Sequence, residues 1–528
     1  MTRIDYCVIV IYFAVVIGIG FWCRRLAARN LDNYFLAGNR MHWLALAMSG
    51  SVSTFDITGT MWIVTLLTLF GMRSMWNHWM WGFLMAAFFM SYMGKWVRRS
   101  EVMTGAEWMV TRFGDRIDGK TARISYTVMA VVMLTGFIAY AFQGIGKFAS
   151  VYITFGLPPE HAATACAVLI FTITTLYVLL GGLYGVVVTN VIQTVILTVA
   201  SLVIAGVAYY QVSPVMLSEV LPEDWTSLAP KWKLDDAASL PKDYAGYELF
   251  GALVIVWVLK GFLLNLGGPG QMTDFQAFLA ARNPREAAKL GAAWSGFLVV
   301  RWAMCMGIAL LALTGLEASG DPEKVMPMVL QEYLPAGLRG LVIAGLLAAF
   351  MSTFSATANA AAAYIVRDLW QPLAGKTNQA SLVRASYVAT VMVVVVGTGI
   401  GFLSDSIRQI WDWLMIALGA AFVVPNVLRW YWWRLNGWGY SAGTIAGLVG
   451  AVPILLMTLF GENEPPLYVT FPALCAISLV ATLTGTWLTR PTEEQVLTTF
   501  YASVRPFGWW GPIRVKCELN AAELADPA

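Results

Sequence analysis

Ser49-Gly-Ser-Val-Ser-Thr-Phe-Asp-Ile-Thr-Gly59 lies inside an apolar run, from about Trp43 to Phe70, that is long enough to cross a bilayer. The middle of that run is small, hydroxyl-bearing and glycine-containing, and it holds one carboxylate, Asp56. A carboxylate at mid-membrane depth is costly, so Asp56 is a functional-site candidate. Glycine, serine and threonine let a helix open locally and free backbone carbonyls. Within a membrane that is tolerated only where protein or a watery cavity surrounds the backbone. The stretch therefore reads as an interrupted span beside a polar site.

The remainder of the chain fits that reading. Of 528 residues, 58% are hydrophobic and only 12% charged. With a mean hydropathy of +0.66, this is an all-α polytopic membrane protein. Thirteen apolar runs are long enough to be spans: 6–23, 43–70, 75–94, 124–152, 162–180, 186–210, 246–271, 287–315, 340–366, 385–403, 409–428, 441–460 and 468–488. An outside N-terminus puts 23 of the 34 Lys and Arg in or at the edge of cytoplasmic segments. That is the positive-inside asymmetry, and it leaves the C-terminus in the cytoplasm. The net charge of +3 gives no reason to expect nucleic acid as a partner; the expected surroundings are lipid. The six cysteines have neither metal nor disulfide spacing. Trp76, Trp79 and Trp81 read as an outer aromatic belt, with His78 among them. Arg429-Trp-Tyr-Trp-Trp-Arg434 reads as an inner interfacial anchor. The tail's aromatic stretches are placed on the membrane surface, with no further role assigned.

The seventh run is also interrupted. Asn265-Leu-Gly-Gly-Pro-Gly-Gln271 cannot continue as a regular helix, because Pro269 lacks an N–H and three glycines weaken the flanking turns. The two interrupted spans are five apart, an odd number, so two five-span units in tandem must be inverted. Interruption at corresponding positions of two halves is the sequence pointer to a transporter's binding site. Lys260 in run 7 and Arg301 in run 8 are further intramembrane charges. Asp56 and Lys260 fall at similar depths. An ion pair between them is one expectation; the other is a solute carboxylate on Lys260 or Arg301. In run 9, Ser352 and Thr353 are adjacent hydroxyls suited to an oxygen cage around a small hard cation.

Several stretches resemble the sodium:solute symporter family, which includes sodium-coupled sugar, proline and sialic acid carriers. They are Tyr34-Phe-Leu-Ala-Gly38, Glu107-Trp-Met-Val-Thr-Arg-Phe-Gly114 and Gly182-Leu-Tyr-Gly-Val-Val-Val-Thr-Asn-Val-Ile-Gln193. Gly270-Gln271 with Phe278-Leu-Ala-Ala281, and Leu347-Ala-Ala-Phe-Met-Ser-Thr353, complete the set. The resemblance implies a LeuT-type fold of five-plus-five inverted repeats and alternating access driven by sodium. On that basis residues 1–42 are a first helix and link, 43–210 and 246–428 the two repeats, 429–488 two further spans and 489–528 a cytoplasmic tail. It implies a sodium site made of the Val52 and Phe55 carbonyls, the Ala349 carbonyl and the Ser352 and Thr353 hydroxyls. An alternative register gives the carbonyls of Thr54 and Ile57. Many relatives carry Asp where this chain has Asn190, so Asp56 is expected to supply the negative charge for sodium. Substrate candidates are Asp56, His78, Lys260, Asn265, Gln271 and Arg301, with a sugar-like solute favoured slightly over an organic acid or amino acid. No cofactor beyond sodium is expected, and the resemblance to bacterial carriers implies a bacterial inner membrane.

An enzyme is the rival class. The sequence has no His-Glu-x-x-His, no Gly-x-Ser-x-Gly and no Walker A loop, and only three histidines: His42, His78 and His161. A non-transporting solute sensor is the other alternative.

Overall fold

The structure is a computed structural model of the full chain. It describes residues 1–27, 42–100, 102, 104–180, 183–222, 224–234, 240–268, 278–316, 321–375, 378–404, 406–414, 419–460, 465–517 and 519. The described residues form helices and no named strand; the one β-bridge is isolated, between Trp432 and Trp509.

Helix occupies each of the thirteen apolar runs. The helices that build the site are α1 (Arg3–Ala27), α2 (Trp43–Thr54), α3 (Ile57–Phe70), α4 (Trp76–Phe88), α5 (Ile117–Ser150), α6 (Pro159–Leu180), α7 (Leu183–Gln211), α8 (Phe250–Leu266), α9 (Pro284–Gly315) and α10 (Leu338–Ala363). They continue as α11 (Gln379–Phe402), α12 (Ile407–Asp412), α13 (Gly419–Tyr431), α14 (Gly437–Phe460) and α15 (Leu467–Leu488). Among the described residues, seven helices are long and apolar enough to cross a membrane by themselves, and α2 with the helix after it makes an eighth.

The break falls within the quoted stretch. Helix α2 closes when the Phe55 amide donates to the Val52 carbonyl at 3.0 Å. Asp56 is extended (φ −68°, ψ 152°) and caps α3, its Oδ2 accepting from the Gly59 amide at 2.7 Å. Aspartate suits that position because it satisfies an orphan N–H and faces the positive end of the helix dipole. The two halves meet at 66°. Helix α2 packs against α7, α9 and α10, and α3 against α5 and α9, so the break is enclosed by protein. Gly144 of α5 allows this approach, since a Cβ there would overlap the Thr58 side chain.

The second break is at Gly267, earlier than the 271 limit read from the sequence. Gly268 has φ +103°, a left-handed value that favours glycine. Pro269, Gly270 and Gln271 lie outside the described residues.

Residues assigned to one side of the membrane cluster together. At one end Asp5 of α1 accepts from Arg339 at 2.8 Å and from the Gly337 amide at 2.8 Å. Burial pushes this carboxyl's pKa up. Hydrogen bonds from Thr2, Gly337 and Arg339 outweigh burial and hold it well below the ordinary range. At the other end, Arg112 is fully buried and donates to the carbonyls of Arg429 (3.0 Å) and Trp432 (3.0 Å).

This second cluster corrects two expectations. Trp430, read as an interfacial anchor, is 0% exposed, and its Nε1 donates to the Gly267 carbonyl at 3.0 Å. The tail does not simply lie on a surface. It folds back, with Phe500 and Trp510 buried and the Arg112 guanidinium over their rings at 5.4 and 4.7 Å. Trp509, next to Trp510, stays exposed at 66%. Arg112→Lys keeps the charge but loses the planar fork that serves several carbonyls at once. Leaving buried carbonyls unpaired costs about 1–3 kcal/mol each. The expected result is a lower melting temperature and trypsin cleavage after Arg514 or Lys516 under conditions where the wild type resists. A tail equally protected in both proteins would show that Arg112 does not hold it.

Candidate functional site

The broken helix opens onto a cavity of about 100 Å³. That is room for several waters, and so for a small solute. Its polar lining comes from Asp56 and Thr58 at the break, Asn77 and His78 of α4, Tyr140 of α5, Lys260 of α8, Arg301 of α9 and Thr353 and Thr357 of α10. Its aromatic lining includes Trp81, Phe137 and Trp411. Trp411 of α12 covers one side; its ring lies 4.9 Å from Trp62 and 5.2 Å from Tyr140.

Asp56 pairs with Arg301, correcting the expected Asp56–Lys260 pair. Arg301 Nη2 is 3.2 Å from Asp56 Oδ1, and Arg301 Nε donates to Thr60 Oγ1 at 3.1 Å. The guanidinium also lies over the Phe55 ring at 5.7 Å. A Cβ on Gly59 would stand 2.6 Å from both Arg301 Nη2 and Asp56 Oδ1, so glycine makes space for the pair. Each Asp56 oxygen has a protein partner: Oδ1 accepts from Arg301 and Oδ2 from the Gly59 amide. This leaves Asp56 with a helix-capping and guanidinium-pairing role that the sequence reading did not give it. The Asp-Ile-Thr-Gly spacing carried the capping signal.

Lys260 is 4% exposed, and its Nζ donates to Asn77 Oδ1 at 3.0 Å. Asn77 was not among the residues singled out from the sequence. His78 and Trp81 line the cavity, which corrects the reading of this whole stretch as an interfacial belt. His78 stands edge-on to Trp62, with ring centroids 5.2 Å apart. Asn265 is 2% exposed and donates to the carbonyls of Gly261 (2.8 Å) and Trp81 (3.2 Å). It ties α8 to α4 and is not among the residues lining the cavity. Gln271 lies outside the described residues.

On α10, Ser352 donates to Asn190 Oδ1 at 2.5 Å, and Asn190 Nδ2 donates to Ser49 Oγ at 2.9 Å. The asparagine thus bridges α2, α7 and α10, which an aspartate there would do only with a different proton arrangement. Thr353 donates to the Ala349 carbonyl at 3.0 Å and lines the cavity. Both hydroxyls spend their protons on protein acceptors, so their oxygens face other partners as acceptors. The carbonyls of Val52 and Phe55 stand at the end of α2, which packs against α10.

A bundle with a broken helix at an enclosed polar cavity defines a membrane transporter of the kind that carries a solute through its middle. The chain belongs to the sodium:solute symporter family, whose model matches residues 34–447. It is 25% identical to sodium/glucose cotransporter 4 of Danio rerio, over 87% of this chain and 72% of that protein. It is also 25% identical to sodium/myo-inositol cotransporter 2 of Sus scrofa, over 93% of this chain and 78% of that one. Among solved structures it matches a sodium-coupled sialic acid symporter in a substrate-bound, outward-open state. The TM-score is 0.72 at 16% identity, covering 93% of this chain and 99% of that one. The fold is therefore the LeuT-type one that the resemblance implies.

Proposed function

We propose that this protein is a sodium-coupled symporter of a small polyhydroxylated solute, working by alternating access. The observation that carries the reading is the cavity at the α2–α3 break. Hydrogen-bonding groups and aromatic rings converge there, the combination that suits a polar ring. The relatives' printed substrates, glucose and myo-inositol, share that chemistry. In this reading the repeats are residues 43–210 and 246–428, moving about the breaks after Thr54 and Leu266. The N-terminus faces outward and the C-terminus the cytoplasm, in a bacterial inner membrane.

Sodium travels with the solute, held by the carbonyls of Val52, Phe55 and Ala349 and the oxygens of Ser352 and Thr353. A small hard cation needs several such oxygens. Asp56 acts on sodium through the shape of the break, its charge being engaged with Arg301. Ser352→Ala with Thr353→Ala removes two ligands. Uptake into proteoliposomes with an imposed sodium gradient is expected to need about tenfold more sodium, equivalent to ~1.4 kcal/mol. An unchanged sodium response in a folded variant removes α10 from the ion site.

A further inference from the structure

We propose that the transported solute carries a carboxylate, seated on Lys260 Nζ and Asn77 Nδ2. This rests on the transport reading above and narrows its solute to an acidic one. The cavity is lined by one carboxylate, Asp56, and by two cationic side chains, Arg301 and Lys260. Asp56 and Arg301 compensate each other at 3.2 Å. Among the described residues, no carboxylate lies within ion-pair distance of Lys260 Nζ. The acidic Asp412 is engaged by Arg408 at 2.8 Å and by the Tyr247 hydroxyl at 3.1 Å. A buried ammonium with no carboxylate in contact is costly, and an intramembrane one is expected to pair.

Hydrogen bonding gives the seat its shape. An ammonium has three donors and no acceptor, so Asn77 must turn Oδ1 toward it. That fixes the asparagine's flip and directs its NH₂ elsewhere. Asn77 is 3% exposed, lines the cavity, and among the described residues its Nδ2 has no partner. The Nε2 of neighbouring His78 is likewise buried without one. An orphan buried donor is expensive, so this one marks a place where an acceptor is expected. Lys260 has N–H groups to spare beside it. Two adjacent donors, one of them cationic, match the two oxygens of a carboxylate. A neutral solute would supply acceptors without the charge, leaving the ammonium uncompensated once water is expelled. The rest of the solute would lie against Trp411, Tyr140 and Phe137.

The test is thermal stabilisation of the purified full-length protein by matched probes at millimolar concentration. The pairs are glucuronate and glucuronamide, lactate and lactamide, acetate and acetamide, each measured in sodium chloride and in choline chloride. At least one carboxylate is expected to raise the melting temperature where its amide does not, with at least tenfold tighter apparent binding. Lys260→Met is expected to fold as well as wild type or better, since it removes a buried charge, and to lose that preference. Asn77→Asp gives Lys260 an internal counter-ion and is expected to abolish carboxylate binding in a folded protein. Equal responses to acid and amide, no response to any carboxylate, or a preference that survives both variants would overturn the inference. The sodium arm separates the two claims. Carboxylate preference without sodium dependence leaves the seat standing and removes the coupling. Sodium dependence without the preference does the reverse.

Discussion

Replacing Arg301 with methionine is expected to destabilise the protein by about 3 kcal/mol and to abolish transport. The substitution strands the Asp56 carboxylate at the helix break and leaves Thr60 Oγ1 without its guanidinium donor. The upper end of the usual 3–5 kcal/mol range does not apply, because the Asp56 side chain is 21% exposed toward the cavity and is partly screened. Asp56→Asn isolates the charge, since asparagine caps a helix about as well as aspartate. Asp56→Ala removes the cap as well and is expected to cost about 1 kcal/mol more. Asp56→Asn combined with Arg301→Met should recover part of the lost stability. The expected coupling is ~1–3 kcal/mol between two residues in direct contact. Lys260→Met combined with Asp56→Asn should show little coupling, because Lys260 is bonded to Asn77 instead. Additive effects of the Asp56 and Arg301 changes, measured by thermal melts in detergent, would remove the pair from the site.

The second large effect is expected at Glu323, which is 2% exposed. Its carboxylate accepts from Lys147 Nζ at 2.6 Å and from Ser406 Oγ at 3.1 Å. It also accepts from the amides of Ile407 and Arg408, each at 3.0 Å. Those amides are orphan donors at the start of α12, the helix that carries Trp411 over the cavity. One carboxylate therefore holds the end of α5, the loop before α10 and the start of the helix that covers the solute. Glu323→Ala leaves Lys147 its pairing with Asp321 at 3.1 Å but strands the Ser406 hydroxyl and two helix amides, with an expected loss of about 3 kcal/mol. Glu323→Gln keeps the size and one acceptor but drops the charge, and is expected to fall between. Transport should fall in both, since Trp411 loses its fixed position. A Glu323→Ala protein with wild-type melting temperature and uptake would show that the cluster is ornamental to the cover.

The features legible in the sequence were local ones. Apolar length placed helix in every run, because a membrane-crossing helix must satisfy its own backbone and be apolar along its length. The break near Asp56 was legible because small and hydroxyl residues cluster there with a charge. The adjacent hydroxyls of Ser352 and Thr353 stood out as a pair; in the structure Ser352 meets Asn190 and Thr353 lines the cavity. The pairing of charges was not legible. Asp56 and Arg301 are 245 residues apart, and depth alone offered Lys260 as an equally good partner. Which of two cations meets one carboxylate depends on helix rotation, and in these spans the apolar residues surround each helix too evenly to fix it. Asn77 was missed because it sits among tryptophans, where the aromatic signal dominated. The same ambiguity put Trp81 in a lipid belt instead of the cavity, while His78 was read both ways. The folded-back tail was hidden because Phe500 and Trp510 read equally well as membrane-surface residues until Arg112 is seen beneath them.

Solute and sodium are expected to cross together through the cavity at the α2–α3 break. Net uptake of labelled sodium and labelled solute into the same proteoliposomes tests it most directly, using whichever acidic probe stabilises the protein. An inward sodium gradient is expected to drive the solute above its external concentration. Solute addition is expected to raise sodium entry, and Arg301→Met to abolish both fluxes together. Solute entry that merely equilibrates, or that proceeds equally with choline in place of sodium, would contradict it.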